Sequence, residues 1–362
     1  MADSVFVTFV HGYEDLDFEI DRDDLPALWR VNGAGTETFR YPFPRNIADF
    51  HDAGSLIAGA MPKADAEEFK RLPRFGFTGA ALCGDYLYAG SWNGVYRIRR
   101  SDAHLDRIIS NPMMSDLHGI WVGEDLVLTV LTGKDAVVLS DFDGQVIDHF
   151  CIGRDLEIYR DPTLNDVDWR FVSKQFRGAT GFWHFNYIQM LGEEIWLTSR
   201  NAGCFLVIDP IAGRAELRLI NHKTPVLLHD GRCIDGRFFF TSIDGKLIIT
   251  EPAEQARANP REAVDRIHLY NRDMVSEVVR LADTELGREP NWCRGVDCAG
   301  QRIYLTIDGR YDSDLSFGLI ALEESGHLVS QHRLNWSDVG DETRIRYVTG
   351  FDVAVDQVDL AA

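Results

Sequence analysis

The sequence predicts an all-β chain folded as a β-propeller, and three observations carry the prediction. An apolar strand, a tight turn and an aromatic-rich return strand recur at FTGAALCGDYLYAG (from Phe77), LHGIWVGEDLVLTV (from Leu117), WHFNYIQMLGEEIWLTS (from Trp183), LHDGRCIDGRFFFTS (from Leu228) and CRGVDCAGQRIYLTI (from Cys293). The copies lie roughly 40 to 65 residues apart, the size of a four-stranded blade with insertions, and such a period is the signature of radial repetition. Runs rich in Val, Ile, Phe, Tyr and Trp are divided by Gly-Asp, Asp-Gly and Asn-Gly turns, and 31 glycines with 11% aromatic residues suit sheets that pack face to face.

Each element follows in chain order. SVFVTFVHG, from Ser4, reads as a second strand without a first, with LPALWRVN and TETFRYPF as the third and fourth. The missing first strand is at the far end, where VTGFDVAV from Val348 has no return strand. A last blade closed by both termini is therefore expected, with Val348 to Val355 pairing with Val5 to Val10, and about six blades in all. Asn46 to Leu72 and Asp273 to Leu286 space their apolar residues at helical period and are expected to form helical insertions between blades. No Pro/Ser/Gly-rich linker divides the chain, so residues 1–362 are read as one propeller domain.

Composition limits the partners. A formal net charge of −20 and the lack of a basic stripe argue against nucleic acid, whose binding draws on clustered Lys and Arg. No run approaches the eighteen or so apolar residues of a membrane span, and MADSVFVTF lacks the basic start of a secretory signal, so a cytoplasmic protein is expected. The six cysteines fall mostly inside apolar strands at irregular spacing and are expected to be free thiols.

The most informative residues are three histidines that each open a repeat: Leu117-His118-Gly119, Trp183-His184-Phe185 and Leu228-His229-Asp230. A single His in a strand is ordinarily a packed residue satisfied by a backbone bond. Three at one repeat-equivalent position would meet at the mouth of the propeller channel, where neutral rings desolvate and protonated rings repel one another. A divalent cation answers both problems, so His118, His184 and His229 are expected to bind one transition metal, Fe, Mn or Zn. The other copies place Thr78, Arg294 and Thr349 there, leaving one side of the ion open, as a catalytic site requires.

Arg294 in that ring is expected to clamp an anion, its structural alternative being an ion pair with Asp297 or Asp352. Asp230 is expected to support a neighbouring imidazole. Tyr187, Asp308 and Asp116 are candidate acid/base groups. Loops on the same face offer Trp92, Trp183, Arg200 and Tyr311 as substrate contacts, with His11, Tyr13, Asn93, Lys134, Asn201, Asp244 and Arg310 nearby and His222 as a further loop imidazole.

The blade periodicity over the whole chain resembles the six-bladed propeller metalloenzymes of the gluconolactonase and regucalcin group, which hold a divalent metal over the axial channel. The ligand set differs: that group uses mainly carboxylate and amide oxygens, and these positions offer nitrogen. A histidine-built propeller site is similar in kind to those of manganese oligogalacturonate lyases and carotenoid oxygenases. The expectation is a metal-dependent lyase, isomerase or hydrolase acting on a small, polar, anionic substrate, with Arg294, Tyr187 and Asp308 as catalytic groups. The alternatives are a non-haem iron oxygenase on the same histidines, and a non-catalytic scaffold in which they are simply packed.

Overall fold

The computed structural model describes residues 4–13, 26–44, 57–58, 75–171, 181–209, 214–219, 227–234, 237–243, 245–252, 275–280, 292–308, 317–334 and 345–356. In chain order the strands are β1 (Ser4–Tyr13), β2 (Ala27–Asn32), β3 (Gly35–Arg40) and a short β4 (Ile57–Ala58). Next come β5 (Phe75–Cys83), β6 (Tyr86–Ser91), β7 (Val95–Arg99) and β8 (Leu105–Ile109), followed by β9 (Leu117–Val122), β10 (Val127–Leu131), β11 (Ala136–Ser140), β12 (Val146–Ile152) and β13 (Ile158–Tyr159). The second half holds β14 (Phe185–Leu191), β15 (Glu194–Ser199), β16 (Cys204–Asp209), β17 (Arg214–Leu219), β18 (Leu228–Ile234), β19 (Arg237–Ser242), β20 (Lys246–Pro252) and β21 (Val275–Arg280). The chain closes with β22 (Trp292–Ala299), β23 (Arg302–Asp308), β24 (Phe317–Glu323), β25 (Leu328–Leu334) and β26 (Ile345–Asp356).

These strands form antiparallel meanders: β5 to β8, β9 to β13, β14 to β17, β18 to β21 and β22 to β25. The last strand lies against the first: β26 pairs with β1, with Val5 opposite Val355, Val7 opposite Val353 and Val10 opposite Thr349, and β2 and β3 continue that blade. Both termini thus share one sheet, as the sequence predicts. The innermost strands pack in a closed circuit, β5 on β9, then β14, β18, β22, β26 and back to β5. This is a β-propeller. Closure removes the exposed sheet edges an open array would leave.

The core lies between successive sheets. One cluster joins Trp196 and Phe205 of one blade to Phe238 and Phe240 of the next, their rings stacked 4.9–5.6 Å apart. Another packs Val5, Val7, Trp29 and Val353 of the closing blade against Tyr304, Leu319 and Ala321 of its neighbour. Burying one such side chain contributes about 1.5–3 kcal/mol, so the blade interfaces hold the ring together.

Every innermost strand breaks register at the same step. Phe77 pairs with Ser91, Leu117 with Leu131, Phe185 with Ser199, Leu228 with Ser242 and Cys293 with Ile307, fourteen residues apart in each case, and one extra residue follows on the inner strand. β26 has the same irregularity opposite Thr8 and Phe9. A bulge of this kind frees an amide and turns side chains off the pleat. Threonines of the second strand take up that amide: Asp230 N donates to Thr241 Oγ1 at 3.0 Å, Gly295 N to Thr306 Oγ1 at 2.8 Å and Asp352 N to Thr8 Oγ1 at 2.9 Å. Hydroxyls also cross between blades, Thr241 to the Arg294 carbonyl and Thr132 to that of Phe185.

Two of the expected helical insertions need correction. Val275–Arg280 is the outer strand β21, in register with β20 from Lys246↔Arg280 to Thr250↔Val275. The apolar spacing of Val275, Val278 and Val279 fits a helix, yet β-branched residues beside an unpaired sheet edge favour extension. Ile57–Ala58 pairs in parallel with Ile108–Ile109, and the remainder of 46–72 lies outside the described residues. Among the described residues the only helical turns are 3-10 segments, Thr132–Lys134, Pro162–Asn165 and Trp169–Phe171, and no helix is long and apolar enough to cross a membrane.

Removal of residues 348–362 is expected to abolish cooperative unfolding, because β1 loses its β26 partner and the ring opens. A truncated chain that melts cooperatively at the parental temperature would contradict the closure.

Candidate functional site at the axial mouth

The common bulge fixes which side chains form the ring at the mouth. The residue after each register-matched position is Thr78, His118, Asn186, His229 and Arg294. The alignment read from sequence alone is corrected in two blades: in β26 the extra residue between the pairs Gly350↔Phe9 and Asp352↔Thr8 is Phe351, so the ring position there is Phe351 and not Thr349. Asn186, not His184, is the structural counterpart of His118 and His229. Trp183-His184-Phe185 mimics the Leu-His motif, but the fourteen-residue spacing to Ser199 starts from Phe185. His184 precedes the strand and approaches the ring from outside.

The site nevertheless brings two of the three imidazoles into contact. The His118 and His184 rings meet edge to face, with centroids 5.6 Å apart and planes at 85°. His118 Nδ1–H donates to Asn186 Oδ1 at 2.8 Å, and its Nε2 is 3.7 Å from Asp116 Oδ1. His229 Nδ1 lies 3.1 Å from Asp230 Oδ1, the supporting role expected for that carboxylate. Burial holds His229 well below the ordinary histidine range, and the charges of Arg294, His118, Arg200 and His184 push it the same way. The ring is neutral at physiological pH, in a strongly acidic protein whose mouth carries two guanidinium groups.

Backbone strain collects around these groups. His184, Asp116 and Asp135 all sit in the left-handed region, with φ of 52°, 56° and 48°. Such a conformation costs a non-glycine residue about 1–3 kcal/mol and persists only where surrounding contacts impose it. For His184 the contact is the Asp135 carboxylate, which accepts the amides of Trp183 and His184, each at 2.9 Å. Burial raises that carboxyl to about 6.

One step down the axis lies a second polar layer. Arg232 pairs with Asp297 at 3.2 Å and Asp352 at 3.1 Å, and its guanidinium stands 5.3 Å from the Tyr187 ring centroid. Asp352 also accepts the amides of Ala80 and Val353, at 2.7 Å each, so one carboxylate joins three innermost strands. Three carboxylates, counting Asp230, face one arginine. Burial raises Asp230 well above its usual range and Asp352 to about 6. Asp297 and Asp352, the ion-pair partners the sequence offers Arg294, thus pair with Arg232.

The other candidates distribute as follows. Tyr187 belongs to this lower layer, its hydroxyl pushed upward by burial, which is a poor setting for proton transfer at the mouth. Trp183 is buried in an inter-blade cluster against Phe185, its Nε1 donating to the Gly153 carbonyl, and does not line the mouth. Trp92 and Asn93 are also buried, and Asn93 Nδ2 donates to the Pro44 carbonyl. Arg200 follows β15, and its amide donates to the His184 carbonyl. Lys134 stacks over Trp169. The backbone of Asp308 pairs with Trp292. Tyr311, Arg310, Asp244 and His222 lie outside the described residues, as do the side chains of His11, Tyr13, Asp308 and Thr349.

For a metal, the donor chemistry fits and the spacing does not. His118 and His229 each commit Nδ1 to a side-chain oxygen, the arrangement that sets Nε2 as the lone-pair nitrogen of a ligating imidazole. Among the described residues, however, no three His, Cys, Asp or Glu side chains form a group able to hold a metal ion.

No protein-family model matches the chain, and no curated protein does. Among solved structures it is similar to a chain of the nidogen/laminin complex, with a TM-score of 0.53, 8% identity and coverage of 97% of this chain and 98% of that one. It also aligns with hydrazine synthase of Kuenenia stuttgartiensis, with a TM-score of 0.42, 10% identity and coverage of 71% and 65%. At 8% identity the likeness to the nidogen/laminin chain shows the propeller fold alone.

The raised carboxyl of Asp352 makes a pH prediction. Its folded value lies above the unfolded value of about 3.9, so the fold binds the proton more tightly than the open chain does. That contribution is complete below about pH 4 and is lost as pH climbs through about 6. Asp352→Asn should flatten the fall in urea-unfolding stability between about pH 4 and 6.5 relative to the parent. Parallel curves for the two proteins would show that Asp352 does not titrate in this window.

Proposed function

We propose that the chain is an enzyme acting on a small anionic molecule at the axial mouth. The observation that carries this reading is the electrostatic set around His229: two guanidinium groups, Arg294 and Arg200, and two further imidazoles act on one buried, neutral ring. In a protein of net charge −20, two guanidinium groups gathered at one buried ring offer a small anion a place to bind. Arg294 is the clamp, since its planar fork matches a carboxylate or phosphate.

Within this reading, His118, His184 and His229 are the residues that would hold a divalent transition metal. The ion would supply Lewis-acid polarisation of a carbonyl or carboxylate oxygen, the chemistry of a lyase, isomerase or hydrolase. The spacing of the described side chains favours a second reading, in which the same mouth binds the anion without a metal. The two separate by experiment.

Metal analysis of the purified protein is expected to find about one equivalent of Fe, Mn or Zn, with tenfold or greater loss of affinity on replacing His118, His184 or His229 by Ala. Metal far below one equivalent, not restored by reconstitution, would sink the metal part and leave the metal-free reading. Arg294→Lys is expected to weaken binding of small carboxylates or phosphates by about 1–3 kcal/mol at unchanged thermal midpoint. Lost stability with unchanged anion affinity would instead make Arg294 a structural residue.

A further inference from the structure

The ring residue that sequence alignment misplaces carries the furthest inference. Asn186 is 1% exposed, yet it is a carboxamide with two donor hydrogens and an acceptor in the ring at the axial mouth. Its acceptor is used: Oδ1 takes the proton of His118 Nδ1 at 2.8 Å. With the proton on His118 Nδ1, the amide pairs through Oδ1 and turns Nδ2 away from the imidazole. The donor end, Nδ2, is buried without a hydrogen-bond partner among the described residues. Buried polar groups are ordinarily paired, and an unpaired donor in a ring of functional groups asks for an acceptor from elsewhere.

The neighbours say what kind of acceptor. Going round the circuit, His229 is the next ring member after Asn186, and Arg294 the one after that. A molecule seated against this arc of the ring therefore meets both a neutral amide donor and, beyond His229, a guanidinium. A plain carboxylate is satisfied by the guanidinium alone and leaves Nδ2 unpaired. A carboxylate with a second oxygen on the adjoining carbon satisfies both, and the neutral donor suits a carbonyl or hydroxyl oxygen without adding charge.

We propose that Asn186 is a ligand-contacting residue whose Nδ2–H holds a second oxygen of the bound anion, and that the mouth takes small 2-oxo or 2-hydroxy carboxylates. The proposal rests on the reading of the mouth as an anion site. His118 acts on the ligand through Asn186, as the group that keeps the amide turned the right way.

Pyruvate, lactate and propionate test it, because they share three carbons and a carboxylate and differ at the second one. Calorimetry on the full chain after dialysis against EDTA removes chelation by a metal as a source of preference. Pyruvate or lactate should bind at least about tenfold more tightly than propionate. Asn186→Thr should erase that preference and leave propionate affinity unchanged. Threonine is the residue the fold already accepts at the equivalent Thr78, where the hydroxyl turns aside to the Leu117 carbonyl. Asn186→Asp keeps the shape and the oxygen facing His118 but loses the donor, and should bind pyruvate more weakly than the parent at pH 8. If the parent prefers pyruvate or lactate and Asn186→Thr keeps that preference in full, the assignment to Asn186 is overturned while the anion site stands. If the parent binds all three equally, the substrate class is overturned. If it binds no small carboxylate at all, the anion site falls and the inference with it.

Discussion

An amide hydrogen in the middle of a propeller has nowhere to go but another strand, and at one step of every innermost strand the bulge takes that partner away. Threonine hydroxyls restore it at Asp230, Gly295 and Asp352. A hydroxyl suits the place because it accepts from one strand and donates to another, tying the inside of a blade and the join between blades with a single group. The rest of the axis depends on this arrangement. With the ladder interrupted, the following side chains leave the pleat, and the mouth ring and the layer below it follow. The space they turn into is narrow: a Cβ on Gly119 would stand 2.9 Å from the Asn186 carbonyl oxygen, and one on Gly295 2.6 Å from the Asp352 Cα. Glycine at these two positions lets neighbouring strands close on the axis.

The two axial layers differ in charge. The upper one gathers imidazoles and guanidinium groups; the lower gathers Asp230, Asp297 and Asp352 around Arg232. Burial shifts both toward neutrality, keeping His229 unprotonated and Asp230 protonated more readily than in water. The hydrogen bond between His229 and Asp230 joins the layers, so neither can change its protonation without altering the field felt by the other.

Much of the fold was legible. The repeat, the closure by both termini and the turn-to-strand alternation follow from residues that speak locally, such as Gly-Asp turns and Val/Phe runs. The closing pair was readable as two strands that meet, since Val5 and Val355 belong to alternations that bury the same face, but its register, shifted between Thr8 and Phe9, was not. Four other things were not. Val275, Val278 and Val279 satisfy a helix and a strand equally, and only the waiting edge of β20 decides between them. In the site, His184 imitates a ring residue because Trp183 imitates the apolar residue before it. The spacing to the end of the return strand separates them, and that spacing acquires meaning only when register is known. Arg232 gave no local signal, because its partners Asp297 and Asp352 are distant in sequence and meet it only through the ring. The three left-handed residues were equally silent, since no composition betrays a carboxylate such as Asp135 gripping two amides of another blade.

Closure by the chain ends has a temporal side. Thr8 and Asp352, bonded side chain to backbone, are 344 residues apart. As the chain leaves the ribosome, β1 emerges long before its partner β26, so the earlier strand waits with one edge uncovered while the blades between them are made. The waiting edge, SVFVTFV, is uncharged, β-branched and aromatic, the composition most apt to pair with a stranger. The entropy of closing so long a loop grows only slowly with length, so the final docking is costly in time rather than in stability. Until β26 arrives, a chain of this kind is a ring with its clasp undone.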